Sequence, residues 1–225
     1  MSKPAYVDEQ FQDMEQQAHS ATLGMWVFLA TEILFFGALF AAYIVCRTRW
    51  PDDFAQGSRN LKEWIGGLNT FLLLLSDLCM VLAVREASWG RNRGVQLLLG
   101  IAILLSVAFL CMKGLEYTME VNEGLFPGSH FSTIPPDQMS LPAVDQHPRP
   151  RQMQLFMFFY FVMTAVHAIH IIIGIGLMLT LIWMARRKMF SQDYFDPVDM
   201  VGLYWHFVDI VWVFLYPALY LLRKG

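Results

Sequence analysis

Charge is what this chain has least of: Asp, Glu, Lys and Arg make up 16% of its 225 residues, against 56% hydrophobic ones, where a soluble domain carries roughly 25% charged residues. The few charges gather in short segments between apolar runs of roughly 20 residues, the length that spans a bilayer core. That spacing excludes a domain that folds around a core in water. A basic excess is also missing. The net charge is −3, no polybasic tract is present, and a nucleic-acid partner is excluded on that ground. The opening residues, Met1 to His19, are polar and acidic where an export signal would be basic and then apolar, so no cleaved leader is expected. Only three cysteines occur, none in the CxxC or CxxCH spacing of zinc or attached-haem sites. Cys46, Cys79 and Cys111 read as small packing residues. There is no internal repeat, and the Glu-x-x-His spacing of di-iron bundles is absent.

What is present is a set of five apolar segments, about Thr22–Val45, Leu68–Val84, Val95–Leu115, Met153–Ala185 and Met200–Leu222, each bounded by charge or by Pro and Gly. They predict an all-α, polytopic membrane bundle of five transmembrane helices. Residues 1–21 form a polar tail and residues 22–225 the bundle. Between the helices lie a loop from Arg47 to Gly67, a turn from Arg85 to Gly94, and a long connection over 117–152. The proline-rich part of that connection, Pro135 to Pro150, reads as an extended strap across neighbouring protein. Counting positive charge leaves orientation undecided, with seven Lys or Arg on the N-terminal side of the membrane and nine on the other. Trp26, Trp50, Trp64, Trp89, Tyr204 and Trp205 sit at or near segment ends, which suits interfacial belts. Gly174 and Gly176, and Gly37 with Ala38, Ala41 and Ala42, would let helices approach closely.

An ionisable side chain in lipid costs on the order of 3 kcal/mol on insertion scales, so the few that occur are the first candidates for function. Glu32 lies mid-helix among apolar neighbours, a setting that favours a neutral carboxyl able to hold or relay a proton; a neutral carboxyl bonded to another helix fits equally well. His167 and His170 are three residues apart, as are His206 and Asp209, so each pair projects toward a neighbouring helix. With Glu116 these groups read as an interhelical polar network in preference to a metal site. Asp77, on the second helix, has no sequence-local partner and reads as a bundle-facing acid. Lys113 lies close to a helix end and is expected to snorkel to the surface.

The last helix carries Tyr204-Trp205-His206-Phe207-Val208-Asp209-Ile210-Val211-Trp212, a string that closely resembles the final helix of subunit III of cytochrome c oxidase. Three further stretches agree in order: Met25-Trp26-Val27-Phe28-Leu29-Ala30-Thr31-Glu32 with Phe35-Phe36, then Leu68-Asn69-Thr70, then His167-Ala168-Ile169-His170 running to Gly174. The resemblance extends from Leu23 to the C-terminus. It implies a five-helix form of a family whose longer members have seven, with the N-terminus cytoplasmic and the C-terminus periplasmic in a bacterial inner membrane. It implies a subunit without catalytic residues, haem, copper or other metal of its own. Such a subunit packs beside the catalytic subunit I and subunit II of a haem–copper oxidase in the respiratory chain, binds phospholipid between its helices, and supports proton uptake. Glu32 matches the family's membrane-buried, carbodiimide-reactive carboxyl, while Arg186 and Arg187 fall where family members meet lipid headgroups.

The chain departs from the pattern at Ala165 and Ala168, where glycines are common, and at Asp77, where small hydroxyl residues are usual. Asp77 suggests a subfamily associated with nitric oxide reductase or with a respiratory supercomplex. Two readings of other classes compete. A di-haem membrane cytochrome would use His167, His170 and His206 as ligands, and a transporter would use Glu32 and Asp77 as proton carriers but has no inverted repeat to support it.

Overall fold

A computed structural model describes residues 14–128, 131, 151–192 and 194–221. It contains six α-helices, α1 Met14–Arg49, α2 Pro51–Asn60, α3 Glu63–Ser88, α4 Asn92–Asn122, α5 Arg151–Arg186 and α6 Asp196–Tyr216, and a closing π-helical turn Pro217–Leu221. Five of the helices are long and apolar enough to cross a membrane. The chain is an integral membrane protein with the all-α architecture expected, and no strand occurs among the described residues. The proline-rich tract Pro135 to Pro150, expected to form a strap, lies wholly outside the described residues.

Four of the spanning helices outrun their apolar segments at both ends, whereas α6 begins early and gives way to the π turn at Pro217. The flanking residues are polar but helix-compatible, and α1 continues until Pro51 forces a new start. The expected 47–67 loop instead holds α2, where Pro51 opens the helix, Asp52 and Asp53 occupy the first turn and Arg59 the last, a charge order that suits the helix dipole. Phe54 of α2 is fully buried, edge-on to Phe156 of α5 at 5.6 Å.

The most extensive helix pairing is that of α3 with α4, antiparallel and joined through Gly90 in a left-handed conformation (φ +68). Besides Cys79, the buried positions of α3 are Gly66, Asn69, Leu73, Ser76, Met80, Ala83 and Ala87, and those of α4 are Val95, Leu99, Ala102, Ser106, Phe109, Lys113, Glu116 and Glu120. Both sets step by alternate threes and fours, the seam of a left-handed coiled pair. Small residues bring the backbones close, and Ser76 and Ser106 both donate to the Ala102 carbonyl, at 3.1 and 2.7 Å. Toward Asn122 the α4 seam turns from apolar to ionic. Helices α5 and α6 complete the core, whereas α1 lies at its edge and buries only a narrow stripe, Leu29, Phe36 and Tyr43, spaced two turns apart.

Several sequence expectations are corrected by this packing. Tyr204 and Trp205 are buried on the inner face of α6, not at an interface, whereas Trp26, Trp64 and Trp89 do face outward. The ring of Trp205 occupies the space where Gly174 lacks a Cβ, while Gly37 and Gly176 have nothing within 4 Å and mediate no close approach among the described residues. Gly174→Val is therefore expected to cost about 1–3 kcal/mol through overpacking, while Gly176→Val stays within about 0.5 kcal/mol of the parent. Thermal unfolding of the two variants in detergent checks the contrast. Of the cysteines, Cys79 is buried, Cys46 intermediate, and Cys111 faces outward, so the packing role fits Cys79 and not Cys111.

Candidate functional site

Glu32 lies three residues after Leu29 and four before Phe36, so it shares the buried stripe of α1 and points at α5. There its Oε2 meets His170 Nε2 at 3.0 Å. The other ring nitrogen, Nδ1, lies 2.8 Å from the Val166 carbonyl, and a carbonyl only accepts, so Nδ1 carries a proton. One further proton is then shared between Nε2 and the carboxyl: either a neutral Glu32 donates to the imidazole or an imidazolium donates to the carboxylate. Phe36 packs edge-on to the His170 ring at 5.1 Å, and Tyr204 donates to the His170 carbonyl at 2.9 Å. Both side chains of the pair are largely enclosed, at 14% and 19% exposure.

A second acid–imidazole group joins α3 to α6. His206 Nδ1 is 2.5 Å from Asp77 Oδ1, and the buried carboxyl of Asp209, one turn along α6, is near enough to act electrostatically on both. Asp77 thus has its partner on a helix far away in sequence.

His167 faces away from His170. It is fully buried, stacked on Trp212 at 5.1 Å and edge-on to Phe109 at 5.9 Å, and neither ring nitrogen has a hydrogen-bond partner among the described residues. Trp212 in turn donates to Thr70 at 3.0 Å. The groups expected to form one network are therefore separate clusters. The three histidines do not converge as a ligand set, and no group of three His, Cys, Asp or Glu able to hold a metal occurs among the described residues.

Glu116 belongs to a third cluster, and its centre corrects the expectation for Lys113. Because α4 runs on to Asn122, Lys113 lies more than two turns inside the helix and cannot snorkel; it is 4% exposed. Its ammonium donates to Glu116 Oε2 at 2.7 Å, to Tyr160 at 3.1 Å and to Tyr220 at 3.0 Å, and Tyr220 donates to Glu116 Oε1 at 2.7 Å. The rings of Tyr117, Tyr160, Trp212 and Tyr220 surround the charge at 4.7–5.6 Å, close enough for cation–π attraction. Tyr160 and Tyr220 of this cage were missed from sequence because they lie 47 and 107 residues from Lys113.

At the C-terminal end of α5, Arg186 and Arg187 are exposed, and the Arg187 guanidinium covers the Trp183 ring at 4.3 Å. On the turn between α3 and α4, Arg85 and Arg91 lie over Trp89 in the same way, at 4.4 and 4.7 Å.

A family profile described as cytochrome c oxidase subunit III matches residues 154–223, a stretch that includes His170, His206, Asp209 and Tyr220. Whole-chain similarity extends further. The chain is 27% identical to the quinol oxidase subunit 3 of Bacillus subtilis (strain 168), over 94% of this chain and 93% of that protein. It is 28% identical to the cytochrome c oxidase subunit 3 of Thermostichus vulcanus, over 90% and 87%, and to that of Bacillus sp. (strain PS3), over 89% and 84%. The bundle, the motifs on its helices and these matches make the chain similar, over most of its length, to subunit III of cytochrome c and quinol oxidases.

Proposed function

We propose that the chain is the accessory third subunit of a proton-translocating haem–copper oxidase in a bacterial inner membrane, where it stabilises catalytic subunit I beside subunit II and supports its proton uptake. Support for the oxidase comes from relatives of nearly equal length, named as subunits of quinol and cytochrome c oxidases. The observation that carries the proton-linked part is the Glu32–His170 pair, a one-proton site between α1 and α5 whose second imidazole nitrogen is fixed by a carbonyl. Such a site exchanges a proton without either partner leaving its place. Redox chemistry is assigned to the partner subunits. Arg186, Arg187 and the adjacent Lys188, all exposed at the C-terminal end of α5, suit the phosphates of lipid headgroups, and the N-terminus is assigned to the cytoplasmic side.

The test is to purify the tagged chain alone and from its native membrane, in parent and Glu32→Gln forms. The parent is expected to be colourless and metal-free alone and to retrieve a haem-bearing oxidase from the membrane. Haem or metal bound in stoichiometric amount to the isolated chain would overturn the reading and make His167, His170 and His206 the ligands to test. In Glu32→Gln the side-chain amide still donates to His170, but the exchangeable proton is gone. Assembly should be unchanged while proton uptake slows and inactivation during turnover becomes several-fold faster. If uptake and active lifetime match the parent, Glu32 serves shape alone.

A further inference from the structure

Between α1 and α6 runs a cleft of about 580 Å³, within the ~300–1,000 Å³ range of ordinary small-molecule sites. Trp26, Phe36, Phe40, Phe207 and Phe214 supply aromatic wall, and His206 is the one ionisable side chain among the residues that line it. A pair that served only to join α3 to α6 would be covered by those helices, yet the His206 side chain is 36% exposed. Its Nδ1 faces Asp77 Oδ1 as a close ion-pair contact, while Nε2 has no hydrogen-bond partner among the described residues.

Depth limits what can meet that nitrogen. Asp77 stands at the middle of α3 (Glu63–Ser88), so the pair lies deep in a hydrocarbon core roughly 30 Å thick. Phospholipid headgroups stay at the interface, and acyl chains offer nothing to hydrogen-bond. A ligand that matches the cleft needs a polar ring that resides in hydrocarbon, faces for aromatic packing, and an apolar tail to fill the remaining length. We propose that the α1–α6 cleft binds a prenylated quinone or its quinol, with a ring oxygen on His206 Nε2. The backing carboxylate favours a proton on Nδ1, which leaves the neutral ring's Nε2 to accept from a quinol hydroxyl; the protonated ring instead donates to a quinone carbonyl. One imidazole thereby serves both forms, and the proposal concerns binding only.

The experiment uses the full chain purified in detergent, so that other quinone sites in an oxidase cannot contribute. It is photolabelled with an azido-benzoquinone carrying a two-isoprene tail and mapped by peptide mass spectrometry. Adducts are expected on residues 26–44 and 203–214, displaced by unlabelled decylubiquinone and not by phosphatidylglycerol. His206→Leu, which keeps the walls apolar, should lower labelling about tenfold, the effect of losing one buried hydrogen bond. Equal displacement by phosphatidylglycerol would make the cleft a lipid seat and overturn the proposal, as would adducts only elsewhere or undiminished labelling of a folded His206→Leu variant. Should that variant not fold, the competition on the parent chain decides. None of these outcomes depends on whether the chain retrieves an oxidase.

Discussion

Lys113→Met is expected to cost about 3–5 kcal/mol, because it leaves the fully buried Glu116 carboxylate without its cation. The comparison that gives the number meaning is the double variant Lys113→Met with Glu116→Leu. Removing both charges abolishes the desolvation penalty along with the attraction, so the double variant should recover most of the loss. Unfolding of both in mixed micelles, followed by tryptophan fluorescence, measures the pair. Equal destabilisation in single and double variants would show that hydrogen bonds and ring contacts, not the unpaired charge, dominate this cluster. The stability argument is then different, and the Tyr160 and Tyr220 hydroxyls become the groups to remove.

The second large effect is expected at Tyr220. Pro217 has no N–H to continue the α-helical ladder, and the chain passes into a wider π turn whose carbonyls are open to other partners. Tyr43 of α1 donates to the Ala218 carbonyl at 2.6 Å, Ser58 of α2 to that of Leu219 at 2.7 Å, and the Tyr220 hydroxyl joins Lys113 and Glu116 of α4. This single turn fastens elements from both ends of the chain. Tyr220→Ala removes a fully buried aromatic and is expected to cost about 3–5 kcal/mol. Tyr220→Phe loses only bonds to charged partners, about 1.5–3 kcal/mol. The fraction of protein that elutes as a monodisperse peak after detergent extraction, with the thermal midpoint, reads both. A Phe variant as damaged as the Ala variant would assign the whole effect to the hydroxyl.

The clusters differ in how far sequence could reveal them. Glu32, Asp77, His170 and His206 stood out because charge is scarce in a spanning segment, and each meets a partner on another helix. Which partner each would take was hidden, since the residues that meet are 138 positions apart for Glu32 and His170 and on separate helices for Asp77 and His206. Lys113 departs from expectation for a local reason. The apolar run stops at Leu115, but Tyr117, Thr118 and Met119 continue the helix as far as Asn122. Ten-residue α2 was missed because a short helix with Asp52, Asp53 and Arg59 has no long apolar stripe to announce it.

The coiled seam of α3 and α4 was legible in part. In lipid both faces of a helix are apolar, so hydrophobic periodicity no longer separates inside from outside. Small and polar residues carry the signal instead. Gly66, Asn69, Ser76, Ala83 and Ala87 on α3, and Ala102, Ser106, Lys113 and Glu116 on α4, recur at steps of three, four or seven residues. Gly37 and Gly176 show why the signal alone was insufficient, since open space beside them means that a small residue permits close packing without requiring it.

By itself the sequence determined the solvent and the class of fold, because runs of some 20 apolar residues with charges between them have one stable home, as helices across a bilayer. It also carried the similarity to subunit III of cytochrome c oxidase, through strings that lie within single helices. Only the tertiary structure decided which buried charges pair, that Lys113 is caged, that the last turn holds α1, α2 and α4 together, and that His206 opens on a cleft. Each of these depends on which face a helix turns inward. In a lipid solvent, which rewards the burial of apolar surface no more than its exposure, that choice rests on contacts between residues far apart in the chain.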